Sequence, residues 1–123
     1  MPFWLPNPPT NLLLLVDRLL HGHLHLSASQ DKQLEALEAD FAVRRDQFET
    51  QMRLANRGIA NAITVRHRYD ADAKAAIEQL HQAMEGLQEA TVQHVLAMRA
   101  LLTPDQAQQF DRTVNEALAS SQP

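Results

Sequence analysis

Ile77-Glu-Gln-Leu-His-Gln-Ala-Met-Glu-Gly-Leu-Gln-Glu-Ala-Thr-Val-Gln-His-Val-Leu-Ala-Met-Arg-Ala-Leu101 is the stretch that decides the fold. Ile77, Leu80, Met84, Leu87, Thr91, His94, Met98 and Leu101 recur in alternating steps of three and four, the spacing of a helix–helix seam. His94 and Met98 lie four apart on that face, so an imidazole and a thioether sit where Leu would ordinarily sit. Either they are packed in a core, or they are ligands for a metal.

Working outward, the same periodicity yields four helical segments. The first runs from about Thr10 to about His23, with Thr10 or Asn11 as its cap. The second runs from about Ser29 to about Arg66, its inward positions being Leu34, Leu37, Phe41, Phe48, Met52, Ala55, Ile59 and Ile63. The third runs from about Ala71 to Leu101, with Asp70 as its N-cap. The fourth opens at Thr103-Pro104, a capping Thr followed by Pro at the first helical position, turns Phe110, Val114 and Leu118 inward and ends near Ala119. An internal echo links Leu26-Ser27-Ala28-Ser29-Gln30 with Leu102-Thr103-Pro104-Asp105-Gln106. Ser or Thr with Gln three positions on is a capping box, so two ordinary N-caps account for it.

Composition bounds the function. A chain of 123 residues supports one modest core. The organisation expected is a proline-rich segment over 1–9, a helical domain over 10–119 and a short tail over 120–123. A net charge of -4 argues against nucleic acid, which selects a basic face. The absence of cysteine excludes disulfides, thiolate metal sites and Cys nucleophiles. Asp17 and Arg18 end the apolar run at Leu12–Val16 far short of the roughly 20 residues of a membrane span. The opening segment lacks the charged region and cleavage site of a signal peptide, and a removed upstream anchor or leader stays open. No nucleophile with an adjacent base, phosphate-binding glycine loop or zinc-protease signature occurs, so no enzyme is expected.

Short connections bring distant residues to one level. If the third helix folds back on the second near residues 67–70, facing positions sum to about 136, and Glu38 meets roughly position 98. If the first folds back on the second near Ser27, they sum to about 54, and Glu38 meets roughly position 16. Asp17, His21, Glu38, His94 and Met98 then gather at one level. Such a mixture of nitrogen, oxygen and sulfur donors suits Co²⁺, Ni²⁺, Zn²⁺ or Cu²⁺ and not Ca²⁺ or Mg²⁺. The alternative is a core Met, a hydrogen-bonded core His and a solvated Glu38 near Arg18, a pairing that contributes little. His23, His25, His67 and His81 read as exposed.

Glu-Ala-Asp-Phe-Ala-Val-Arg-Arg (38–45), Arg-Leu-Ala-Asn (53–56) and Leu-Gln-Glu-Ala-Thr-Val-Gln-His-Val-Leu-Ala-Met-Arg-Ala (87–100) resemble the CnrX type of periplasmic heavy-metal sensor domain. The resemblance covers roughly residues 17–119 and is weaker in the first helix. It implies a four-helix hooked antiparallel hairpin that forms a homodimer in the periplasm, tethered to the inner membrane in the full-length protein. It implies that metal binding alters association with a membrane anti-sigma partner and so controls metal resistance. Glu38, His94 and Met98 match the family's ligand positions, and His21 matches the second of two first-helix histidines. The first of those histidines falls on Asp17, a harder donor, which bears on the choice between Ni²⁺ and Zn²⁺ or Co²⁺. The echo at 26–30 and 102–106 looks like the paired motifs of the wider CpxP/Spy-like superfamily. That leaves a periplasmic chaperone or stress adaptor as the alternative function, with Arg44, Arg45, Arg53, Arg57 and Arg66 forming the basic part of a client cradle. A plain structural bundle is the third reading.

Overall fold

The computed structural model describes residues 10–120, and among these every regular element is a helix. The protein is all-α. The proline-rich segment expected over 1–9, and residues 121–123 of the expected tail, lie outside the described residues. Helix α1 (Thr10–Arg18) continues into a π-helical turn, Leu19–His23. Helix α2 (Ala28–Asn61) continues likewise into Ala62–Arg66. Helices α3 (Ala71–Arg99) and α4 (Pro104–Ser120) follow. A left-handed residue follows each π turn, directly after the second and two positions after the first. His25 and His67 take φ values of 52° and 57°, the left-handed conformation that ends a helix and that glycine usually supplies.

The described residues form two compact units, one of 10–38 together with 92–120, the other Ala39–Thr91. The first unit holds α1, the start of α2, the end of α3 and all of α4. Its core is built from Leu12, Val16, Leu20 and Leu24 on α1 and its extension, with Leu34, Val95, Met98, Phe110 and Ala117. Val16 and Phe110 are sealed from solvent almost completely, each stabilising the fold by roughly 1.5–3 kcal/mol relative to an exposed side chain. α1 packs on α4. Arg99, the last residue of α3, grips Asp111 of α4 through Nε–Oδ1 (2.7 Å) and Nη2–Oδ2 (2.9 Å).

Both interior helix starts in this unit are capping boxes. Ser27 N–H donates to Gln30 Oε1 (2.9 Å) and Gln30 N–H to Ser27 Oγ (3.1 Å). Thr103 N–H donates to Gln106 Oε1 (3.0 Å) and Gln106 N–H to Thr103 Oγ1 (3.3 Å). In each, two otherwise unmatched N–H groups are satisfied.

In the second unit the buried line of α3 is Ala73, Ala76, Leu80, Ala83, Ala90 and Thr91, so small residues dominate it. They let the backbones approach. A methyl built on Gly58 of α2 would stand 3.0 Å from Ala76 Cβ, and Gly86 of α3 lies directly beneath the Phe48 ring of α2. The α3 start is capped as the sequence implies, Asp70 Oδ1 accepting from Ala73 N–H at 2.9 Å. Arg66 binds the same carboxylate with two bonds, 2.6 and 3.0 Å.

Five inward assignments need correction. Leu118 is 43% exposed and Ala117 is buried in its place. Phe110, Val114 and Leu118 follow in steps of four, each turning about 40° past a full circle. The buried positions Ala107, Phe110 and Ala117 keep to the seam instead. Ile63 is 66% exposed while Ala62 is buried, because Ala55 and Ala62 keep to the seam seven positions apart and Ile63 stands one position, about 100°, beyond it. On α3, Ile77, Met84 and Leu87 flank the buried alanine line and are half-buried.

Candidate metal centre

Asp17 stands in the last α-helical turn of α1, and His21 follows in the π turn, four positions on. Glu38 approaches from α2. His21 Nε2 lies 3.3 Å from Asp17 Oδ1 and 3.1 Å from Glu38 Oε2. One donor atom from each of the three residues falls within 4.8 Å of the others. Glu38 thus meets His21, not the Arg18 expected if its charge were only a flank. The cluster opens to solvent, with about half of the His21 and Asp17 side chains and a third of Glu38 exposed.

The electrostatics follow from that geometry. The hydrogen bond to Glu38, helped by the charges of Glu38, Asp17 and Asp31, raises the His21 pKa above its ordinary value of 6.5, against the smaller opposing effect of burial. In the protonated form His21 is held between two carboxylates.

The donor set suits a divalent cation. Metal bonds of about 2.0–2.2 Å to His nitrogen and carboxylate oxygen place neighbouring donors roughly 3–3.5 Å apart, and the separations here are 3.1 and 3.3 Å. One imidazole with two carboxylates fits a borderline transition metal better than Ca²⁺ or Mg²⁺.

His94 and Met98 are placed differently from these three. Both are buried, at 8% and 3% exposure. Met98 belongs to the apolar core that Val16 and Leu20 line, and His94 stands outside the group of mutually close donors. Val16 and Leu20 precede Asp17 and His21 by one position, about 100° around the helix. The five residues expected to gather therefore divide into an open cluster of three and a buried pair.

Sequence reasoning missed the reach of Gln30 and Gln106 beyond capping. Gln30 Nε2–H donates to Gln106 Oε1 (2.8 Å) and to Leu101 O (2.9 Å), and Gln106 Nε2–H donates to Leu24 O (3.3 Å). The signal was present in the repeated Leu-Ser/Thr-x-x-Gln. A capping box uses only the side-chain oxygen, leaving the amide NH₂ of both glutamines in need of acceptors.

The described residues are all-α and carry an open cluster of one imidazole and two carboxylates. The chain belongs to the heavy-metal resistance family, whose model matches residues 1–109. It is similar to the nickel and cobalt resistance protein CnrR of Cupriavidus metallidurans, 37% identical over 100 residues, covering 81% of this chain and 68% of that protein.

Proposed function

We propose that this protein is a periplasmic sensor of a divalent transition metal of the cobalt, nickel, zinc or copper class. The observation that carries the reading is the convergence of Asp17, His21 and Glu38 within 4.8 Å. Membership of the heavy-metal resistance family supports it. The pairing of Phe48 with Gly86 and of Gly58 with Ala76 supports a hooked-hairpin architecture, since ten residues forward along α2 match ten back along α3. A two-fold homodimer is the expected assembly of such a domain.

In this reading a bound ion sits between the His21 imidazole and the two carboxylates. His21 Nε2 and the Glu38 and Asp17 carboxylates form the resident side of the site. His94 and Met98 are its mobile side: Met98 leaves the core formed with Val16 and Leu20 and turns toward His21, carrying the end of α3. A thioether is a weak ligand that comes and goes, which suits the trigger. The resulting change in helix packing biases a two-state arrangement read by a membrane anti-sigma partner. Asp17, the harder donor, favours Zn²⁺ or Co²⁺ over Ni²⁺.

Titration of the metal-stripped protein with each ion, beside His21→Ala, tests the reading. A second reading, a chaperone or stress adaptor, draws on the exposed apolar side chains Ile63, Val65 and Tyr69, 66–72% exposed. It predicts protection of unfolded clients that is indifferent to metal.

A further inference from the structure

The two helices that carry the buried and open donors end in the same fastening. Leu24 lies three residues past His21, and Leu101 three residues past Met98. The Leu24 carbonyl accepts from Gln106 Nε2–H at 3.3 Å, the Leu101 carbonyl accepts from Gln30 Nε2–H at 2.9 Å, and the two amides are joined at 2.8 Å. The bonds cross 71 to 82 positions of sequence, and every partner lies in the unit that holds Asp17, His21, Glu38, His94 and Met98.

The junction has little slack. Gln106 Oε1 accepts from both Thr103 N–H and Gln30 Nε2–H, and Gln30 Nε2 donates to both Leu101 O and Gln106 Oε1. Both lone pairs of the one and both hydrogens of the other are used. Turning either amide over would set NH₂ against NH₂ or oxygen against oxygen. Leu24 is held from its other side as well, its N–H closing the π turn onto Leu19 O at 3.0 Å. Capping alone needs only an acceptor, which Glu supplies as well as Gln. The amide hydrogens serve the cross-links.

We infer that Gln30 and Gln106 are positioning residues of the metal centre. Their junction is a fixed post between the end of the His21 turn and the end of the Met98 turn, and it sets how far the two sets of donors must move to share an ion. The inference rests on the sensor reading above. The selective variants are Gln106→Glu, which keeps both acceptor roles and sets an oxygen in place of the donor to Leu24, and Gln30→Glu, which keeps its cap and sets an oxygen in place of the donor to both cross-links. The direct Coulombic effect of the added carboxylate on a cation is attractive, so a weaker affinity reports the opened junction and not that attraction.

The test uses Co²⁺ on the metal-stripped full chain, reading affinity by calorimetry and ligand geometry from the visible absorption of the Co²⁺ form. Asp70→Ala, which removes a helix cap in the other unit, controls for lost stability. The expected result is wild-type binding, a roughly 10- to 100-fold weaker affinity with displaced bands in Gln106→Glu, and a lower melting temperature with unchanged affinity and bands in Asp70→Ala. Should Gln106→Glu fail to fold, Gln30→Glu is read in the same way. Wild-type binding that survives in the glutamate variants with the same affinity and bands overturns the inference alone. A wild-type protein that takes up no Co²⁺ overturns the sensor reading, and the inference with it.

Discussion

His21 and Glu38 are joined across two helices, Nε2 to Oε2 at 3.1 Å, although 17 positions separate them in sequence. The bond makes the charge of His21 depend on a carboxylate from α2, and it occupies the nitrogen that a metal would take. A proton and a metal ion therefore compete for one place.

The first prediction is a pH dependence. In the folded protein the His21 pKa lies above 6.5, chiefly because of the Glu38 hydrogen bond. The stabilisation from this group is fully present below pH 6.5 and is lost as pH rises through the raised value. Because the side chain is 47% exposed the effect is screened and small. Urea melts of wild type and Glu38→Gln across this window should show the wild-type slope reduced in the variant. Metal affinity should fall as pH drops below the raised value, since only neutral imidazole ligates.

Asp70 should contribute with the opposite sign. The Arg66 guanidinium and the Ala73 N–H hold its carboxyl at about 2, below its ordinary 3.8. The stabilisation is present above pH 3.8 and is lost as pH falls through about 2. Asp70→Ala should lower the melting temperature at neutral pH and flatten its acid dependence, measured by circular dichroism.

Gly86→Ala should destabilise the protein. Helix propensity favours alanine by about 1 kcal/mol, but the new methyl meets the Phe48 ring, and overpacking costs roughly 1–3 kcal/mol. Denaturant unfolding should show a net loss, and Phe48→Leu in the same chain should recover part of it.

Met98→Leu separates packing from ligation. The exchange nearly conserves volume and should change the stability of the metal-free protein by less than about 1.5 kcal/mol. If Met98 is the trigger ligand, the same variant weakens metal binding and removes the sulfur contribution from the Co²⁺ spectrum.

The parts of this fold that could be read from sequence are those fixed locally. Asp70 before α3 and Thr103-Pro104 before α4 cap the helices they were expected to cap, because a cap needs only a side-chain oxygen and the next turn. The meeting of α1 with Glu38 followed from a short connection and helix rise. The two π turns were not legible, since a helical period assumes 3.6 residues per turn. Nor was the division of the donors. Facing arithmetic gives the level of a residue along a helix and not its rotation, and Met98 belongs to the apolar core with Val16 and Leu20. The Gln30–Gln106 bond depends on four helix ends at once, which no local signal encodes.

Whether these donors hold a metal is decided by a calorimetric titration of the metal-stripped protein with Co²⁺, Ni²⁺, Zn²⁺ and Cu²⁺, run beside His21→Ala and His94→Ala. Sub-micromolar binding of one ion per chain is expected of wild type, with both variants greatly weakened. Equally weak uptake by all three proteins would contradict it, leaving His21 and Glu38 as a surface ion pair and His94 and Met98 as ordinary core.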